Sequence, residues 1–394
     1  MAAESSDVPS DEIGGPSGSR WPSRLALLAT AGLLFGYAAT HRYPAPASRP
    51  AATPAGWDLP APGSGTRVGR GPPGLRLLVG GPSPHLVDAA TGESAALDVP
   101  AVGPHAPARL VRAGRGVLAF VPPSSPGTAA SARLLAYLVR PGSATVGLGA
   151  AETGIAARDG GVITVHHTAA GSVLAGFGPD GARRWQRRTP VGVEPLGDTE
   201  YGLVVRQVPD LAGPDQVAPL LLVDPPTGAL RRQLAPRAST VLASRGDAVA
   251  WLGPDSCPPD CAVRVTALAS GATRTVLARS DRTPLAGAFS PDGRLLALSF
   301  GGGGQPSGPT RYPDGLVSVI DIGSLAVTVV RGYGGGLYPP TWLDWSSDGR
   351  LVVMLAASGG RERVRVAVSR AGSADGFTML PWAFLATRSL AVAP

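Results

Sequence analysis

Ala288-Phe-Ser-Pro-Asp-Gly-Arg-Leu-Leu-Ala-Leu-Ser-Phe300, followed by Leu316-Val-Ser-Val-Ile-Asp-Ile-Gly-Ser-Leu-Ala-Val-Thr-Val-Val330, is the stretch that decides the fold. Each half reads as a short β-type run, a turn of two to four residues and a second run. Asp-Gly tolerates the positive φ of a tight turn, and the β-branched and aromatic residues on either side suit a pleated, packed surface. The same grammar returns in Asp344-Trp-Ser-Ser-Asp-Gly-Arg-Leu-Val-Val-Met-Leu-Ala356 and in Leu220-Leu-Leu-Val-Asp224 before Pro-Pro-Thr-Gly228. Thr91-Gly92, Thr227-Gly228 and Ser270-Gly271 each follow a strand-like run, and an aromatic-x-x-Asp-Gly unit starts at Phe177, Phe289 and Trp345.

A hairpin repeated from Leu75 to Pro394 points to a radial or stacked β architecture. The 54 Gly and 41 Pro among 394 residues exclude a helical bundle or an α/β enzyme with long helices, because few windows go a dozen residues without a breaker. The expected fold is all-β, a β-propeller of seven blades at about 46 residues each, with six or eight as alternatives. The expected blades fall at 75–105, 108–150, 153–190, 193–236, 239–279, 284–331 and 336–381. The last stretch, Phe384-Leu-Ala-Thr-Arg-Ser-Leu-Ala-Val-Ala-Pro394, has no partner strand of its own and is placed to complete the short first blade.

The Ser-Pro-Asp-Gly-Arg and Ser-Ser-Asp-Gly-Arg copies after Phe289 and Trp345 resemble the WD40-like repeats of TolB-type β-propellers. That resemblance implies an Asp-Gly turn between the two innermost strands of a blade. It covers about a quarter of the folded part and speaks to architecture more than activity. A weaker resemblance, carried by Gly176-Phe-Gly-Pro-Asp-Gly-Ala-Arg-Arg-Trp185, is to quinoprotein-like propellers, in which a Trp after the turn docks between blades.

Ahead of the repeats, residues 1–20 are polar and read as a disordered cytoplasmic tail. Leu25 to Thr40 carries no charge; as a helix it is roughly 24 Å long, and Trp21 and Tyr43 extend it toward both interfaces. Residues 21–43 are therefore expected to be a single-pass anchor in membrane lipid, with a cleaved signal peptide as the alternative. Residues 44–74, rich in Pro, Ala and Gly, read as a linker, and 75–394 as the propeller. Cys257 and Cys261 flank a Pro-Pro-Asp turn in Cys257-Pro-Pro-Asp-Cys261; a disulfide there implies an oxidising compartment and an extracytoplasmic propeller, and two free thiols are the alternative.

The net charge is +7, every basic residue is Arg, and the first 24 residues carry −2, leaving +9 on the rest. Such a surface favours anionic polymers or lipid; no Arg cluster interleaved with aromatics suggests nucleic acid. No nucleophile elbow, phosphate loop or metal-spaced His/Cys set is legible, so no catalytic residue, cofactor or metal is assigned. His166-His167 point to opposite faces of a strand, one packed and one exposed. Asp180, Asp292 and Asp348 belong to turns. Two Gly-rich stretches, Gly301 to Gly304 with Gln305, and Gly332 to Gly336 around Tyr333, are the candidate interaction loops. The functional expectation is an anchored extracytoplasmic module that binds a protein or an anionic envelope polymer. The alternative is a lactonase or glycan-active propeller with a central-channel site.

Overall fold

The computed structural model describes residues 67–81, 84–100, 109–114, 116–122, 134–140, 143–168, 171–189, 192–207, 217–253, 261–277, 283–300, 317–330, 340–356, 363–370, 376–385 and 390–393. The described strands form seven sheets, antiparallel except for one parallel pair at the edge of blade seven, and every sheet keeps its strands in chain order apart from those of blades one and seven. The innermost strands are Leu390–Val392, Arg109–Ala113, Thr153–Ala156, Val193–Thr199, Thr240–Arg245, Pro284–Phe289 and Pro340–Trp345, which belong to blades one to seven. Each touches the next around a closed ring, and Pro340–Trp345 touches Leu390–Val392. The described strands thus form a seven-bladed propeller whose blades follow the expected ones, except that the outer strand of blade seven runs on to Leu385 and takes Phe384 and Leu385 from the segment expected to complete blade one. The anchor at 21–43 lies outside the described residues, and no helix among them is long and apolar enough to cross a membrane.

The core is not at the centre of the ring. It lies in seven apolar clusters, each filling the space between two neighbouring blades. Between blades five and six, for example, Leu252 and Val265 meet Phe289, Leu298 and Phe300. A sheet buried on both faces needs apolar side chains at successive positions, which is why a second strand such as Gly116–Val121 runs apolar without alternation. Blade one is composite: Leu390–Val392, from the C-terminus, pairs antiparallel with Arg76–Val79. The ring is strapped on the outside as well. Arg67–Val68 adds a parallel fifth strand to the outer edge of blade seven, opposite Thr378 and Met379, and Gly71 then donates its N–H to Ala89 O of blade one at 2.9 Å. A Cβ on Gly71 would sit 2.6 Å from Ala89 Cβ, so only glycine allows this approach. The stretch 67–74, expected in the linker, therefore belongs to the propeller, because its free backbone groups find partners at the seam.

In blades one, four, five and six the turns between third and outer strands share one geometry. In Asp88-Ala-Ala-Thr-Gly92, the Asp carboxylate accepts the N–H groups of Ala90 (2.8 Å) and Thr91 (3.0 Å), while Gly92 N–H closes on Asp88 O. Asp224 and Asp321 repeat this, and Ala267 keeps the backbone part alone. The fourth position after Asp is left-handed, with φ of 78° at Gly92, 74° at Gly228 and 75° at Gly271. In blade six it is Leu325, at φ 60°, the one non-glycine residue with positive φ among the described residues. Two of the glycines also admit an arginine from the preceding blade: Arg187 lies against Gly228 and donates to Asp224 O, and Arg232 lies against Gly271 and donates to Leu268 O and Ala269 O. The Phe177 unit differs from its apparent relatives. Its Gly-Pro-Asp-Gly turn joins the third and outer strands of blade three, whereas the turns after Phe289 and Trp345 join the two innermost strands, as the TolB-type resemblance implies.

Two outcomes follow for stability. Ending the chain at residue 389 removes the buried Leu390 and Val392, worth about 1.5–3 kcal/mol each, and leaves the edge of Arg76–Val79 unpaired; the truncated chain is expected to unfold at markedly lower denaturant concentration. Leu325→Gly relieves a left-handed leucine whose side chain is 45% exposed, and is expected to stabilise by up to about 1 kcal/mol in the same assay, the gain limited by the entropy of an added glycine.

Candidate functional site

The two faces of the ring differ. On one, the turns are short and closed by their own polar side chains. Ser290 Oγ donates to Asp292 (2.6 Å) and accepts Leu295 N–H, and Ser346 repeats this with Asp348 and Arg350. The carboxyls of Asp88, Asp224, Asp292 and Asp321 are held below the usual range by neighbouring N–H and hydroxyl donors. Burial raises that of Asp348, but Ser346 and Arg350 outweigh it and the net shift is downward. On the opposite face, the strand ends are joined by segments that range from one residue, at Ser239, to the longest in the ring. Among them are 122–134 in blade two, 208–217 in blade four and 301–316 in blade six, the last of sixteen residues.

The innermost strands enclose a channel with a cavity of about 600 Å³. Arg109 and Arg112 of blade two, Ser244 and Arg245 of blade five, and Trp342 and Asp344 of blade seven line it. Strand direction places Arg112, Arg245 and Asp344 near the short-turn face and Arg109 toward the long-connection face. Arg109 lies over the Phe120 ring at 6.0 Å. Asp344 accepts the N–H of Trp345 (2.8 Å) and, across the seam, that of Val392 (3.2 Å). Trp345 in turn donates Nε1–H to Ala288 O of blade six at 3.0 Å. Burial pushes the Asp344 carboxyl up, against the two N–H donors and the charges of Arg112 and Arg245. The Ser244 hydroxyl is buried without a partner.

A second, smaller hollow of about 210 Å³ opens between blades three and four, lined by Arg158, Asp159, Trp185, Asp198 and Arg231 among others. Several of its polar groups are engaged. Asp159 holds Arg184, Asp198 accepts Arg158 N–H at 3.1 Å, and Arg231 reaches Asp224 (2.5 Å) and Tyr201 O (2.7 Å). Trp185 packs on Gly176 within the cluster shared by blades three and four, the inter-blade position that the quinoprotein-like resemblance implies.

Of the residues singled out from sequence, Gly301, Gly304, Gln305, Gly332, Tyr333, Gly336 and Cys257 lie outside the described residues. The described strand ends that flank the two Gly-rich stretches, Phe300, Val317, Val330 and Pro340, lie on the long-connection face. Cys261 is fully buried. His166 and His167 are both half-buried, in place of one packed and one exposed. Glu152 explains this: it pairs with His166 Nδ1 (3.0 Å) and accepts His167 N–H (2.9 Å), while His167 Nδ1 meets Ser172 Oγ at 2.7 Å. Among the described residues no three His, Cys, Asp or Glu side chains gather as a metal site. Asp180, Asp292 and Asp348 do sit in turns. Asp344 and the channel arginines were missed; the available signal was a carboxylate inside Trp342-Leu-Asp-Trp345, where an apolar strand needs none.

No protein-family model and no curated protein matches the sequence. Among solved structures the chain is similar to the β-propeller domain of the Trilobed protease from Pyrococcus furiosus, at 8% identity over 74% of this chain and 85% of that one, TM-score 0.51. A structure from a study of two prolyl endopeptidases matches at 12% identity over 79% of this chain and 47% of that one, TM-score 0.53. TolB from Acinetobacter baumannii matches at 15% identity over 79% of each chain, TM-score 0.45. The shared feature is the β-propeller. These likenesses extend to fold alone, and the endopeptidase match spans under half of that chain.

The two kinds of carboxylate give opposite pH dependence. The turn groups, with lowered pKa, stabilise above the unfolded value of about 3.9, and that contribution is lost as pH falls through their folded pKa. Asp344, with a raised pKa, binds its proton more tightly when folded, so its contribution declines as pH rises from about 3.9 through its folded pKa. Asp321→Asn is expected to flatten the acid limb of a stability-against-pH curve. Asp344→Asn is expected to lose less stability at pH 7 than at pH 4, and chemical denaturation at the two values checks both.

Proposed function

We propose that the chain is a membrane-tethered, extracytoplasmic binding module. In this reading residues 1–20 are a cytoplasmic tail, 21–43 a single-pass anchor and the segment up to Thr66 a spacer, with Cys257 and Cys261 disulfide-bonded outside the membrane. The observation that carries the binding role is the asymmetry of the strand ends: on one face they close in short, internally bonded turns, and on the other lie the ends that flank the longest segments between strands, among them the two that hold the Gly-rich stretches. Rigid rings that vary their loops on one face suit recognition, since the scaffold pays no reorganisation cost while the loops supply the contacts. The partner in this reading is an envelope protein or an anionic envelope polymer, and the net positive charge of the propeller supports the latter.

The test is crosslinking and affinity purification of the tagged chain from its native membranes, with residues 1–66 alone as the control. A partner enriched only when the propeller is present, and lost when 301–308 and 332–336 are shortened to two-residue turns, is the expected result. Recovery of nothing beyond the control overturns the reading. Thiol labelling of intact cells before and after reduction reads out the cysteine pair and the side of the membrane together.

A further inference from the structure

The short-turn mouth of the channel holds more positive charge than its own residues balance. Arg112 enters from blade two and Arg245 from blade five, three blades apart in a ring of seven, and both line the cavity that Asp344 lines from blade seven. Both guanidiniums are near enough to act on the Asp344 charge. Yet Asp344 gives its two oxygens to the N–H groups of Trp345 and Val392, and neither the Arg112 nor the Arg245 guanidinium makes a hydrogen bond or ion pair among the described residues. No other carboxylate lines the cavity among those residues, and Arg109 adds a third guanidinium farther along it.

We propose that this mouth binds an oxyanion carrying two or more charges, held between the guanidiniums of Arg112 and Arg245. A guanidinium fork matches phosphate or carboxylate oxygens in pairs, and a concave, low-dielectric wall concentrates the field of two cations on one point. The innermost strands are edge strands, so backbone N–H groups on their channel side have no ladder partner and are available as further donors. Asp344 already caps one of these, Val392 N–H, which fixes the seam beside the site. The cavity accommodates a compact polyanion or the charged group of a larger chain. This site is at the mouth opposite the long connections, so it stands or falls separately from the binding face above.

Isothermal titration calorimetry of the full-length chain with pyrophosphate, and separately with citrate, at 50 mM salt tests it. Saturable one-site binding of at least one probe is expected, and which probe binds distinguishes phosphate from carboxylate recognition. Arg112→Gln and Arg245→Gln are each expected to weaken binding by about ten- to a hundredfold with an unchanged thermal melt, while Arg237→Gln, on an exposed outer strand, leaves it as it was. If a Gln variant fails to fold, Arg→Lys at the same position keeps the charge, loses the fork and is expected to bind several-fold more weakly. Absence of binding by both probes at millimolar concentration, or equal weakening by Arg237→Gln, overturns the proposal.

Discussion

Burial between blades is the constraint on which this structure depends. A four-stranded sheet here has two apolar faces and cannot shield either alone, so each blade is stable only between two others. Seven clusters serve seven interfaces, and an open ring would expose two of those faces at once. Closure is thus required by the same apolar patterning that builds the blades. It is secured at one seam by three separate devices: the C-terminal strand Leu390–Val392, the outer strand Arg67–Val68 and the Asp344 carboxylate on Val392 N–H.

Blade number and boundaries were readable because they follow from local chemistry. A turn such as Asp224-Pro-Pro-Thr-Gly228 declares itself through an Asx cap and a left-handed glycine, and a second strand such as Gly116–Val121 through unbroken apolar residues. The channel was not readable for the opposite reason. Arg112, Arg245 and Asp344 are 133 and 99 positions apart in sequence and meet only because ring closure brings blades two, five and seven around one axis. The outer strap escaped notice because Arg67 and Val68 sit among Pro and Gly, and their pairing partner at Thr378 lies at the far end of the chain.

The arginines change meaning once the ring is drawn. As composition they read as the habit of a chain without lysine. As geometry, Arg187 and Arg232 form a repeated link from the outer strand of one blade to the turn carbonyls of the next, each lying where a side chain in place of Gly228 or Gly271 would block it. A planar, multiply donating head can reach two carbonyls at once, as Arg232 does at Leu268 and Ala269. Leu325, at the equivalent position in blade six, presents a side chain and a strained backbone in place of that open glycine.

The strap also sets how the ring responds to load. Tension arriving along the chain from before Arg67 meets two parallel residue pairs on blade seven, then the Gly71 bond to blade one, before it reaches any strand that holds a core cluster. Those few bonds yield first and let out slack, much as a stitched fold in a safety line tears open ahead of the rope. A load applied ahead of Arg67 is thus taken up at the strap before it reaches the blades.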